Sequence, residues 1–392
     1  MTVNTPRKMG EAHKRSILML LFEHETLSRA ELSRLLKLSP PAVTANINVL
    51  LEAGMIRQIG AGTSDYGRKP ILISLNNEFR YVIGVDIGEK QICVALSDFT
   101  KHIVDVLYTP SMTEKGAGMV IEQVIASIRA ILVRNDKNIE LGSIAVSAPG
   151  IINRVSGAVE FSTVVPDFKD YDLSGMLQEV FSVPVYIEND VDMAVCGEYQ
   201  EGNHGDSEDL VYIKVGDGAA ARIVSNGRLL HGRGNIAGEI GYMLLDRKHV
   251  RDSFHVRGVL EQEICNRTVD SIYRDKTGIG HEMQEEYYSI EKMIALSEKG
   301  DVSAHEILQK ILDDLSRVIV NLTAILDTGV IILGGDLEKL RAEHINEITE
   351  FIGRYVPYTP KIRISRFGQM AGIKGCITHA INEMLKEMGM FV

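Results

Sequence analysis

YVIGVDIG at residues 81–88 and LVYIKVGDG at 210–218 follow one pattern. Each is an apolar strand running into a glycine-containing tight turn, and each leads to a second apolar strand, Ile92–Leu96 and Ala221–Val224. A duplication of this kind implies two related α/β lobes facing a cleft. Helical patterns at Gly118–Arg134, Leu173–Phe181 and Ala304–Thr328 alternate with strands at Ser143–Ser147, Val183–Ile187 and Val330–Leu333. That alternation predicts α/β architecture built on central sheets.

Ahead of this body, SRAELSRLL opens with Ser28 and has Glu31 three residues on, a capping box at a helix start. Ala30, Leu32, Leu35 and Leu36 fit one face of that helix, and a break follows at Lys37–Leu38. Ser39 is placed to cap a second helix, with Pro40 at the first helical position, where a missing N–H costs nothing. Val43, Ile47, Leu50 and Leu51 form its core stripe, and Pro41, Thr44, Ala45 and Asn48 point the other way. A small, polar, uncharged face suits entry into a major groove, where Thr and Asn contact base edges or thymine methyls.

A preceding helix near Glu11–Phe22 and strands at Met55–Ile59 and Pro70–Leu75 complete a winged helix-turn-helix. The wing tip carries Arg68 and Lys69, suited to phosphate contact or minor-groove insertion. Ser39, Pro41, Thr44, Ala45, Asn48, Arg68 and Lys69 are therefore the candidate DNA-binding residues. The domains expected are a head over 1–78, a first lobe over 79–190 completed by a C-terminal helix at 376–392, and a second lobe over 191–375.

Composition agrees with this division. The 392 residues are 45% apolar and 24% charged, enough to bury more than one core. Residues 1–80 hold 11 Lys and Arg against 7 Asp and Glu, or +4, and the remainder holds 31 against 46, or −15; together these give the net −11. A basic end on an acidic body fits a nucleic-acid-binding head on a body that binds something else. No apolar run reaches the roughly 18 residues of a membrane span, and MTVNTPRKMGEAHKR lacks a signal-peptide core. Cys93, Cys196, Cys265 and Cys376 lie far apart with no CxxC pairing, as expected of reduced, buried thiols in a cytoplasmic protein.

From Arg7 to its end the chain resembles the ROK family of repressors and sugar kinases, on the branch with a winged-helix head that includes xylose and N-acetylglucosamine repressors. The resemblance lies in IGVDIG at 83–88, SAPGIIN at 147–153 and PVYIENDVDMAVCGE at 184–198. It continues in VSNGRLLHG at 224–232, AGEIGYM at 237–243, RGVLE at 257–261 and ILGGDL at 332–337. It implies a two-lobed actin-like ATPase fold, with a sugar held between the lobes.

The family's kinases cradle ATP phosphates in two glycine-rich turns. Glu89 and Lys90 depart from the first of them, and Asp217, Ala220 and Arg222 from the second, where Gly216 and Gly218 remain. Added carboxylates oppose a triphosphate, with Lys90 and Arg222 partly offsetting them. The resemblance places Asp190 at the family's general-base position, where a carboxylate serves equally to accept a hydroxyl's hydrogen bond without proton transfer. Read from the residues alone, Asn189–Asp190 also fits a simple turn.

Asn189, Asp190, Glu239, Tyr242 and Glu261 are the ligand-binding candidates that the resemblance implies. Tyr242 stands where the family has histidine, and Val164 where its substrate loop has asparagine, pointing to an unusual sugar or derivative. The family's structural zinc ligands correspond to Tyr242, Asp252, Phe254 and Val259, a set without a thiolate. His249 and His255 nearby read as solvated. Neither a metal nor a nucleotide cofactor is therefore expected.

These readings converge on a transcriptional repressor, a homodimer or higher homo-oligomer, that binds palindromic operator DNA and senses a sugar without phosphorylating it; the alternatives are a sugar kinase with a DNA-binding head and a regulator controlled by a protein partner. The apolar helix Ile307–Leu326 supplies either a dimer surface or a buried core element.

Overall fold

The computed structural model describes residues 6–61, 71–135, 139–153, 156–201, 209–247, 258–280 and 286–390. The head comprises α1 (Pro6–His24), β1 (Thr26–Ser28), α2 (Arg29–Leu36), α3 (Pro40–Glu52), β2 (Ile56–Ala61) and β3 (Ile71–Leu75). The Ser28 hydroxyl accepts the Glu31 N–H, and the Glu31 carboxylate accepts the Ser28 N–H at 2.8 Å, so the capping box starts α2. Lys37 ends α2 in the left-handed region at φ 55°. Val43, Ile47 and Leu50 of α3 close on Ile17, Leu18, Leu21 and Leu32, all essentially inaccessible.

Two local expectations need correction. The Ser39 side chain makes no capping bond. An N-cap hydroxyl needs the N–H of the second or third helical residue, and Pro41 removes the second. On α2 only Leu32 is buried, whereas Leu35 is 43% exposed; a helix of eight residues buries a narrow stripe. The sequence reading also missed β1, which adds a third strand by pairing antiparallel with β3. The wing tip, with Arg68 and Lys69, lies outside the described residues.

The next sheet joins β4 (Tyr81–Ile87), β5 (Gln91–Ser97), β6 (Ile103–Pro110), β7 (Leu141–Ala148) and, after the short pair β8 (Ile151–Ile152) and β9 (Val159–Phe161), β10 (Val185–Asn189). Its order is β10-β7-β4-β5-β6. Helices α4 (Ala117–Asn135) and α5 (Leu173–Phe181) contribute to the core on one face. Helix α6 (Asp190–Glu201) then leads to a second sheet of β11 (Leu210–Val215), β12 (Ala219–Ser225), β13 (Arg228–Leu229), β14 (Val330–Gly335) and β15 (Lys361–Ile364), ordered β15-β14-β11-β12-β13.

Both sheets have three parallel strands followed by antiparallel returns. The duplication read from the two glycine turns is thus a duplicated sheet topology, with β4 and β11 in equivalent places. Val211, Ile213 and Val215 of β11 face one core, and Leu210 and Tyr212 the other. Cover on both faces explains why these strands read as continuous apolar runs.

The helices of the second half are α7 (Glu261–Ile264), α8 (Asn266–Thr277), α9 (Ile290–Glu298), α10 (Val302–Leu326) and α11 (Ala342–Ile352), with α12 (Met370–Glu387) last. The apolar stripe of α10 (Ile307, Leu308, Ile311, Leu315, Val318 and Ile319) lies inside the core with α8, α9 and α11, which favours the buried reading of this helix. The described chain falls into two units, one reaching Asp190 and resuming at Ile373, the other spanning Val191–Gly372. None of the four cysteines, all within the described residues, is in a disulfide; Cys93, Cys265 and Cys376 are buried, while Cys196 is only half-buried. No described helix is long and apolar enough to cross a membrane.

The head is docked within its unit. Phe99, fully buried beyond β5, takes edge contacts from Phe22 of α1 at 5.7 Å and from Phe79 at 5.0 Å. Asn76 Nδ2 donates to the Gly54 carbonyl, and Phe99 N to the Asn77 carbonyl. Phe99→Ala should therefore cost about 3 to 5 kcal/mol, as truncation of a buried Phe does. Urea unfolding of the full chain would check this, a loss under about 1 kcal/mol contradicting a shared core.

Candidate functional sites

The first candidate site is the outer face of α3. Because Val43, Ile47 and Leu50 are buried at helical spacing, Pro41, Thr44, Ala45 and Asn48 are all exposed, and so is Ser39 just before the helix. One neighbour went unnoticed in the sequence. Arg29, the first residue of α2, brings Nη1 and Nη2 each to 3.5 Å from Asn48 Oδ1. Nineteen residues separate the pair, too far for helical periodicity to couple them.

The remaining candidates fall on both units, and each group stands within its own unit. In the first unit, Asn189 ends β10 and Asp190 opens α6. Asn189 Nδ2 donates to the Gly150 carbonyl at 2.8 Å and lies 3.2 Å from Asp190 Oδ1, tying the strand–helix junction to the loop after β7. Asp86, at the end of β4, accepts the Ser147 hydroxyl at 2.6 Å.

In the second unit, Glu239, Tyr242 and Glu261 come together. Gly238 has φ 87°, and its N–H and carbonyl lie so near β12 that a Cβ there would sit 2.2 Å from the Ala221 oxygen. This close approach sets Glu239 beside Arg222. Glu261 accepts the backbone N–H of Ala219 at 3.3 Å and of Gly258 at 3.1 Å, bracing the second glycine turn. Burial raises the Tyr242 hydroxyl pKa, with the charges of Glu261 and Glu239 adding to it, so the phenol stays a neutral donor.

Arg222 behaves differently from the sequence expectation. Its side chain does not offset acids at a phosphate turn. It is buried, donating to Asp192 through Nε, to Glu239 Oε1 through Nη2 at 3.0 Å and to the Ala221 carbonyl through Nη1. Alternation along β12 sets it on the face opposite Ala219, Ala221 and Ile223, and the two acids hold it there. His231 Nδ1 lies 3.5 Å from the other Asp192 oxygen. Burial pushes the Asp192 pKa up, but His231 and Arg222 outweigh it and hold the carboxyl below its ordinary value.

Neither Asp192 nor His231 was singled out from the sequence. Asp192 lies two positions past Asp190, and His231 falls within the VSNGRLLHG stretch that carries the resemblance. The glycine turns retain acids of their own: Asp217 accepts from Tyr287 Oη at 3.2 Å and Asn266 Nδ2 at 3.3 Å. Asp252, Phe254, His249 and His255 lie outside the described residues. Among the described residues no cluster of three or more metal-ligating side chains occurs.

Residues 82–383 match the ROK family, and residues 11–57 match a winged helix-turn-helix DNA-binding family. The xylose repressor of Caldicellulosiruptor bescii is 27% identical, the match covering 96% of this chain and 97% of that protein. Among solved structures, a ROK family transcriptional regulator described as a homolog of E. coli MLC superposes with TM-score 0.81 at 20% identity, over 97% of this chain and 99% of that one. The ROK hexokinase from Thermus thermophilus superposes with TM-score 0.64 at 22% identity, over 78% of this chain and 99% of that one. At such identities the two structures establish the fold.

Removing Arg222 takes the guanidinium from two acids, one of them well buried. Arg222→Met should destabilise the protein by about 3 to 5 kcal/mol, the usual cost of breaking a buried pair from one side. Asp192→Asn added to it should restore part of the loss in the same denaturation curve; additive losses would place the ion pair outside the folded state's energetics. The Asp192 contribution is present above about pH 4 and is lost as pH falls through its lowered folded value.

Proposed function

Because the chain belongs to the ROK family and carries a winged-helix head, we propose that it is a sequence-specific DNA-binding transcriptional regulator, a repressor of carbohydrate-utilisation genes. Its body binds a sugar or sugar derivative as effector without phosphorylating it. The observation that carries this reading is the outer face of α3, small, polar and exposed over a fully buried stripe. Thr44 and Asn48 on that face read base edges, and Arg68 and Lys69 of the wing contact phosphates. A homodimer presents two such helices about one DNA turn apart to a palindromic operator.

Asn189, Asp190, Glu239, Tyr242 and Glu261 are the proposed effector ligands. Carboxylates and a neutral phenol match hydroxyl groups by hydrogen bonds, and a buried group left unmatched by the wrong ligand costs affinity. Asp190 in this reading accepts a hydroxyl's hydrogen bond without removing its proton. Phosphoryl transfer is disfavoured because Glu89 and Asp217 add negative charge to turns that would cradle a triphosphate, and Arg222 is committed to Asp192 and Glu239. No nucleotide and no metal is assigned as cofactor.

Effector control requires different sugar affinities in the DNA-competent and DNA-incompetent states. Melting against sugars, sugar phosphates and ATP checks the body: one sugar should raise the melting temperature and ATP should not. Asp190→Ala and Glu239→Ala should abolish that shift. ATP consumption dependent on the same sugar would establish a kinase instead. For the head, Thr44→Ala should weaken operator binding by about 1 to 3 kcal/mol for the lost base contact. Arg68 and Lys69 replacements should weaken binding to every sequence and flatten its salt dependence; an unchanged salt slope would remove the wing from the interface.

A further inference from the structure

The pairing of Arg29 with Asn48 bears on which base the head reads. A lone asparagine in the major groove matches adenine, accepting from N6 through Oδ1 and donating to N7 through Nδ2. Asn48 differs because its Oδ1 faces a guanidinium that carries donors only, at 3.5 Å from both Nη atoms. Turning the amide over would set N–H groups against N–H groups, so Nδ2 is the end directed away from Arg29. Around Asn48 the Nδ2 amide and the guanidinium then present donors, and the nearest side-chain acceptor on this face is the Thr44 hydroxyl, one turn earlier.

Guanine is the base that fits such a surface, since its major-groove edge carries two acceptors, N7 and O6. Adenine presents the N6 donor, which at Asn48 must compete with both Arg29 Nη groups for Oδ1. We propose that Arg29 is a specificity-determining residue, which turns Asn48 from an adenine reader into part of a donor pair that selects guanine. The inference rests on α3 being the recognition helix. Arg29 is itself partly exposed and lies just inside the Ser28 cap, so its replacement leaves the capping box intact.

The test is selection of bound sequences from a randomised DNA pool by the full-length protein, followed by affinities for single-base variants of the selected site. Wild type should prefer guanine over adenine at one position in the site by roughly tenfold or more. In Asn48→Ala, preference at that position should weaken. Arg29→Ala releases Oδ1, and the preference should fall below about twofold or turn to adenine, with an unchanged melting temperature.

Uniformly weaker binding by Arg29→Ala, with a salt slope reduced by about one and guanine still preferred, would make Arg29 a phosphate contact and overturn the inference while leaving the recognition helix in place. Adenine selected by wild type at the Asn48 position would overturn it as well. If neither Thr44→Ala nor Asn48→Ala altered the selected site, the recognition-helix assignment would fail and the Arg29 inference with it.

Discussion

Gly84 has no room for a side chain. A Cβ there would lie 3.2 Å from the Ile373 carbonyl and 3.3 Å from Cys376 and Ile377, so the middle of β4 packs directly against α12. Ser143 on the neighbouring strand donates to the Ala380 carbonyl, and Cys376 Sγ approaches the Val85 carbonyl at 3.4 Å. The last helix is therefore bound into the first sheet through backbone-level contacts that leave little freedom to slide. This close packing brings the chain back to its first unit after the whole of the second has been built, and it is why a unit that ends at Asp190 resumes at Ile373.

The same helix leads to the head. Met388 and Gly389, just beyond α12, line a groove together with Lys14 of α1 and Asn46 and Val49 of α3. On another side, Phe99 holds Phe22 and Phe79. The head is thus connected to the first sheet by contacts from both ends of that unit's chain, with only a few residues between β3 and β4. A flexible tether would let the head move independently of the body. Packed contacts instead make its position depend on the sheet and on the end of α12.

Local signals were the legible ones. The Ser28–Glu31 box, the α3 stripe and the alternation of strands and helices all depend on residues within a few positions of each other, and the structure realises them closely. The Ser39 cap failed for an equally local reason, since Pro41 withholds a donor the motif needs. What sequence reading could not reach is set by pairs far apart along the chain. Arg222 meets Asp192 thirty residues away, and Phe99 meets Phe22 across the head. At Arg222 the residue type invited an electrostatic role at the turn, but strand alternation points its side chain elsewhere. For α10, periodicity located the apolar stripe without saying what covers it, and the core with α8, α9 and α11 supplies that answer.

Charge placement separates the two candidate sites by what each asks of a ligand. The face of α3 is uncharged, so recognition there turns on which donors and acceptors are aimed outward. In the second unit, Arg222 donates to both Asp192 and Glu239, which offsets part of the repulsion between the two acids, and with His231 it holds the Asp192 carboxyl below its ordinary pKa. A carboxylate accepts hydrogen bonds from hydroxyl groups, and the guanidinium beside Glu239 is shared between it and Asp192. One buried ion network thus fixes the charge balance around Glu239, whereas the α3 face is set by uncharged donors and acceptors.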